Sequence, residues 1–157
     1  MNRVARMFML VTIVLVGGAV ESRVQSPPTL PATQASSVRF AWVDAVIDPQ
    51  GQPLAAYQFE LKAESADVTL VGVEGGEHPA YVEPPYYDPK ANLQNRIVIA
   101  AFNTGEDLPK TRTRVARVMV RVSGTGQPRY SAKLDVCASS DAKPINASIS
   151  VMEGAAQ

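Results

Sequence analysis

One cysteine and one histidine stand in the whole 157-residue chain, and that scarcity removes most site chemistries before any pattern is read. Cys137 alone builds neither an internal disulfide framework nor a multi-cysteine zinc site. With His78 as the sole imidazole, the usual Cys–His and multi-histidine constellations are removed, and a serine triad would have to be built on that one residue. Neither sign of charge is in excess: 15 Lys and Arg balance 15 Asp and Glu, so the basic surplus of a nucleic-acid binder is missing. Carboxylates at Glu74, Glu77, Glu83, Asp88, Glu106 and Asp107 lack EF-hand spacing and read as solvated surface. No window beyond the amino-terminal run repeats apolar residues at helical spacing. These absences lead to the expectation of a chain that is not an enzyme, with no catalytic residues, no cofactor, no metal and no nucleic-acid partner.

Arg3 and Arg6 precede an apolar run from Met7 to Val16, closed by Gly17, Gly18 and Ala19. This is the layout of a secretory signal peptide, because the run falls short of the roughly 20 residues a helix needs to cross the hydrocarbon layer. Residues 1–22 are expected to be that signal, or an anchor if uncleaved. Residues 23–37 are rich in Pro, Ser and Thr and cannot offset their ordering entropy by burial, so they are expected to be a linker. The folded unit is placed at residues 38–154, in a secreted or extracytoplasmic location, with membrane contact only through an uncleaved leader.

Within that unit apolar residues alternate with polar ones. Tyr57, Phe59, Leu61 and Ala63 share one parity, with Gln58, Glu60 and Lys62 on the other. Ala116, Val118, Val120 and Val122 alternate in the same way with Arg117 and Arg121, and Ala132, Leu134 and Val136 with Lys133 and Asp135. Runs at 38–48 and 96–102 are apolar on both parities, 68–73 is a third short strand, and a last one is expected at 145–152. Four prolines within 78–93 restrict that stretch to an irregular crossing with at most a short edge strand. Seven or so strands with turn signals between them predict an all-β fold, an antiparallel two-sheet β-sandwich, with a closed barrel as the other arrangement of such strands.

The succession VDAVIDPQGQPLAAYQFEL, VTLVGVEGGE, RIVIAAFNTGEDLP, TRVARVMVRVSG and ASISVMEG resembles the cohesin-type module. That is the jelly-roll sandwich of cellulosome scaffoldins and other secreted bacterial proteins, and it shares its fold class with carbohydrate-binding modules. The resemblance implies a jelly-roll sandwich that recognises a protein partner or a polysaccharide.

Two surfaces are candidates for that recognition. Tyr81, Tyr86 and Tyr87 lie among Pro79, Pro84, Pro85 and Pro89. Their rings either stack on sugars or anchor a partner, or else cap an open end of the sandwich. Arg112, Arg114, Arg117 and Arg121, with Lys133 and Asp135 on the next strand, are expected to form one mixed-charge outer sheet face. In cohesin-like proteins such a face docks the partner; otherwise it is an ordinary solvated face. Cys137, one residue after Val136, is expected on the polar side, and His78 in an exposed loop. The function these readings favour is a secreted non-enzymatic binding module, and the alternative is a structural component of the bacterial cell envelope held by its leader.

Overall fold

Tyr57, Phe59, Leu61 and Ala63 are all buried while Lys62 between them is exposed, as period two requires of a strand with one face on a core. The computed structural model describes residues 37–64 and 67–155. The expected leader, and the expected linker up to its last residue, lie outside the described residues. Eight strands follow one another: β1 (Val38–Asp48), β2 (Ala56–Ala63), β3 (Val68–Gly75), β4 (Tyr86–Tyr87), β5 (Arg96–Phe102), β6 (Thr113–Ser123), β7 (Tyr130–Ala138) and β8 (Ser148–Ala155). They form two four-stranded antiparallel sheets, ordered β3-β6-β1-β8 and β4-β5-β2-β7. This is the two-sheet sandwich, not a barrel. No helix among the described residues is long and apolar enough to cross a membrane.

One core joins the inner faces. Val43, Ile47, Leu70, Val118 and Val120 come from the first sheet and Tyr57, Phe59, Leu61, Ile97 and Ile99 from the second. Each fully buried side chain of this size contributes about 1.5–3 kcal/mol. Tyr57 of β2 also donates its hydroxyl across the core to the carbonyl of Val115 in β6, at 2.9 Å.

Three strands depart from simple alternation, each by one extra residue. In β6 the register against β1 slips at Val115, since Ala45 faces Ala116 but Val46 faces Arg114. In β3 it slips at Val71. In β7 it slips at Asp135, because Gln58 faces Val136 while Phe59 faces Leu134. The β7 bulge corrects the expected parity: Val136 is turned out and 45% exposed, and Cys137 packs against the core. The last strand is also displaced from 145–152. Its template is β1, whose final residue Asp48 faces Ser148, and residues 145–147 remain outside the ladder.

Sequence neighbours mostly change sheets. Among the described strands only β4 and β5 are consecutive and paired in one sheet. This separates β6 from β7, with direct consequences for the charged residues expected to act together.

Candidate functional site

Val115 decides the layout of the β6 surface. Arg114 and Arg117 are three residues apart and would point to opposite faces of a regular strand. Because Val115 and Ala116 both turn into the core, Arg114 and Arg117 emerge on the same outer face, opposite Val46 and Asp44 of β1. Arg112 belongs to the same face, its Nη2 donating to Ser150 Oγ of β8 at 3.3 Å and reaching Met152 Sδ at 4.0 Å.

Asp44 organises this group. Arg117 donates to it through Nε (2.7 Å) and Nη2 (2.9 Å), and Arg114 Nη1 lies 3.6 Å from its Oδ1. Hydrogen bonding to the Asp44 carboxylate raises the pKa of Arg117 above the usual guanidinium range. The guanidinium carbon of Arg117 also sits 4.9 Å from the centre of the Trp42 ring. On the neighbouring strand, a Cβ at Gly154 would come within 2.3 Å of Trp42 Nε1, so only glycine admits the indole there. Trp42 is thus packed against Gly154 and faced by Arg117, which is itself forked onto Asp44. Such charge-assisted, bidentate pairing holds a guanidinium in one orientation.

The glycine corner after β3 closes the site on one side. A Cβ at Gly76 would lie 2.3 Å from the Arg114 carbonyl oxygen, and this close approach lets Glu77 meet the start of β6. Glu77 Oε1 accepts from the Arg114 backbone N–H (3.0 Å) and from Thr113 Oγ1 (3.2 Å). Between these elements lies an open cavity of about 530 Å³, lined by Arg112, Arg114, Arg117, Asp44 and Glu77, with Val46 and Met152 as its apolar part. Three guanidiniums against two carboxylates leave it one net positive charge.

The other expected residues are distributed differently. Arg121 is exposed on the same face, opposite Phe40 and Thr69, and outside the cavity. Lys133 and Asp135 lie on β7, in the other sheet, paired with each other at 2.7 Å. The expected single mixed-charge face is therefore corrected: connections that cross the sandwich put Arg117 and Arg121 on one sheet and Lys133 and Asp135 on the other. Among the tyrosines, Tyr81 is only 4% exposed. It donates its hydroxyl to the Leu54 carbonyl at 2.8 Å and meets Tyr57 edge-on at 5.1 Å, so it is a core residue and presents no ring to a ligand. Tyr87 is half-buried against the core. Tyr86 is 72% exposed and Phe102, from β5, 68% exposed. Their rings lie parallel within 6° at 6.4 Å, beside a hollow of about 180 Å³ that includes Pro84 and Pro85. His78 caps a single 3-10 turn at Pro79–Tyr81, its Nδ1 accepting from the Ala80 N–H at 3.2 Å.

Trp42, Asp44 and Phe102 were not expected at these surfaces. Asp44 had a signal: a carboxylate amid VRFAWVDAVID has to find a cation once its strand is central. Phe102 had none beyond its place at the end of a doubly apolar strand. No group of three or more His, Cys, Asp or Glu able to hold a metal ion stands together among the described residues. Comparison with family models, curated proteins and solved structures found no match.

Proposed function

We propose that the protein is an exported, non-enzymatic binding module that recognises a polysaccharide or a protein partner through the outer face of the β3-β6-β1-β8 sheet. The observation that carries this reading is the cavity of about 530 Å³ whose arginines are positioned in advance by Asp44, Trp42 and Ser150. Its volume is that of ordinary ligand sites. Side chains already fixed by hydrogen bonds lose little freedom when a ligand arrives, so affinity is not spent on ordering them.

Trp42, the single tryptophan of the chain, reports on the site because it lies beneath Arg117. Titration of a panel of neutral and acidic polysaccharides and of acidic and basic peptides, followed by tryptophan emission, is expected to yield binders. Their response should be lost in Arg112→Glu. A panel without binders, or binding indifferent to that substitution, rejects this face as the recognition surface.

The parallel pair of Tyr86 and Phe102 supports a second reading, with recognition on the opposite sheet. Two large rings left in water beside each other are what a stacking surface for sugars or an anchor for a partner requires. Tyr86→Ala with Phe102→Ala would abolish retention on a polysaccharide if this surface carries it, and Arg112→Glu would not.

A further inference from the structure

The cavity beside Asp44 offers more than a positive charge, and its combination of groups selects a ligand chemistry. This inference rests on the reading of that face as the recognition surface. Arginine presents five N–H donors. Arg117 places two of its donors on Asp44. Arg112 has only the neutral Ser150 and Met152 as acceptors and no carboxylate partner among the described residues. Arg114 Nε is shielded from water and out of a ligand's reach, but its terminal nitrogens meet a carboxylate only at 3.6 Å, from Nη1 to Asp44 Oδ1. Donors therefore exceed acceptors, and an incoming carboxylate matches the fork geometry of the surplus.

The two acidic residues of the lining narrow the choice. Asp44 and Glu77 would repel a second negative charge on the ligand at short range, so a monoanionic unit suits the site better than a phosphate or a sulfate cluster. One Glu77 oxygen accepts from Thr113 and the Arg114 N–H, and the other has no partner among the described residues. An acceptor of that kind is matched by a ligand hydroxyl. Val46 and Met152 supply an apolar patch for the C–H face of a ring. A carboxylate, several hydroxyls and a ring with an apolar face occur together in a sugar acid. A glutamate or aspartate side chain of a protein carries the carboxylate without the hydroxyls.

We infer that this cavity binds a uronate residue of an acidic polysaccharide, with its carboxylate on Arg112 and Arg114 and its hydroxyls toward Glu77 and Asp44. The cavity is open to solvent and reaches Met152 of β8, the edge strand of its sheet.

The test uses the full chain and calorimetric titration alongside Trp42 emission, with a short oligogalacturonate, the same oligomer after reduction of its carboxyl groups, a glutamate-rich peptide, and sodium sulfate. The oligogalacturonate is expected to bind, the reduced oligomer and sulfate not to, and the peptide at least tenfold more weakly. Arg112→Gln should weaken oligogalacturonate binding roughly tenfold or more, and Arg112→Lys, which keeps the charge without the fork, should fall between it and the parent. Arg121→Gln, on the same face outside the cavity, should stay within about twofold of the parent because its charge is solvent-screened. Thermal melts of all three variants establish that each is folded. Equal binding of the reduced oligomer, or oligogalacturonate binding unchanged in Arg112→Gln, overturns the inference. A glutamate-rich peptide bound as tightly and through Arg112 also overturns it, while leaving the recognition face standing. Silence toward every probe here overturns the uronate assignment, and only silence of the wider panel as well removes the face itself.

Discussion

Tyr57 places its ring in the core and its hydroxyl on the carbonyl of Val115, the residue whose insertion brings Arg114 and Arg117 onto one face. Burial holds that hydroxyl in its neutral, donating form by raising its pKa well above the usual phenol range. Tyr57→Phe keeps the packing and removes the hydroxyl that the buried Val115 carbonyl accepts, so urea unfolding should show a loss of about 0.5–1.5 kcal/mol. A variant as stable as the parent would show that the bulge needs no such support. Cys137 is the residue where alternation misled: an extra residue at Asp135 reverses parity beyond it, and nothing in YSAKLDVCA marks which residue is the extra one. Turned inward, its thiol is pushed up to about 11 from 9.0 by burial. A folded-state pKa above the unfolded one gives a contribution that is whole below about pH 9 and is lost as pH rises through about 11. Cys137→Ala should therefore flatten the fall of the melting temperature across that interval. Tyr130, pushed up to about 12 by burial, and Tyr57 and Tyr81, pushed higher still by burial, add their own fall from about pH 10 upward, so the two proteins differ most cleanly between about pH 9 and 10. A slope identical in parent and variant would contradict an inward thiol.

At the scale of the strand, β2 and the half of β6 beyond its bulge were legible because period two and a single buried face coincide in them. The Gly75–Gly76 corner was legible as a turn, but its close approach to β6 was not, since that depends on which strand lies opposite. The site inherits the same limits. Arg117 stands out from its strand by alternation, whereas its partnership with Asp44 follows from pairing between strands more than seventy positions apart in sequence. Gly154 tests whether the assembled face behaves as one unit. Alanine there places a Cβ 2.3–2.8 Å from three atoms of the indole, and a rigid ring can only move away as a whole. Overpacking of this kind costs about 1–3 kcal/mol. Gly154→Ala should therefore lower stability by that amount and shift Trp42 emission to the red as the ring leaves its place between Gly154 and Arg117. Unchanged emission would mean that the indole is not held there.

Across the whole molecule, the sandwich was readable from strand number and turn spacing, but sheet membership was not. Nearly every connection crosses between layers, so chain order does not report neighbours, and residues grouped by sequence proximity were divided between two faces. That division makes the two outer surfaces independent of each other. They are separated by the thickness of a packed core, about 10 Å between sheets, and no hydrogen bond or ion pair among the described residues joins Arg112 or Asp44 to Tyr86 or Phe102. Tyr86→Ala with Phe102→Ala removes rings that are already mostly in water, so it should change unfolding free energy by no more than about 0.5 kcal/mol while reducing adsorption of an apolar dye. Combined with Gly154→Ala, the effects should add to within about 0.3–0.5 kcal/mol. A loss well above 1 kcal/mol on removing the two rings alone would make them part of the fold's support and would end the case for a second recognition surface. Departure from additivity would mean that a change on one face is felt on the other, and then neither surface's binding could be interpreted without measuring the other.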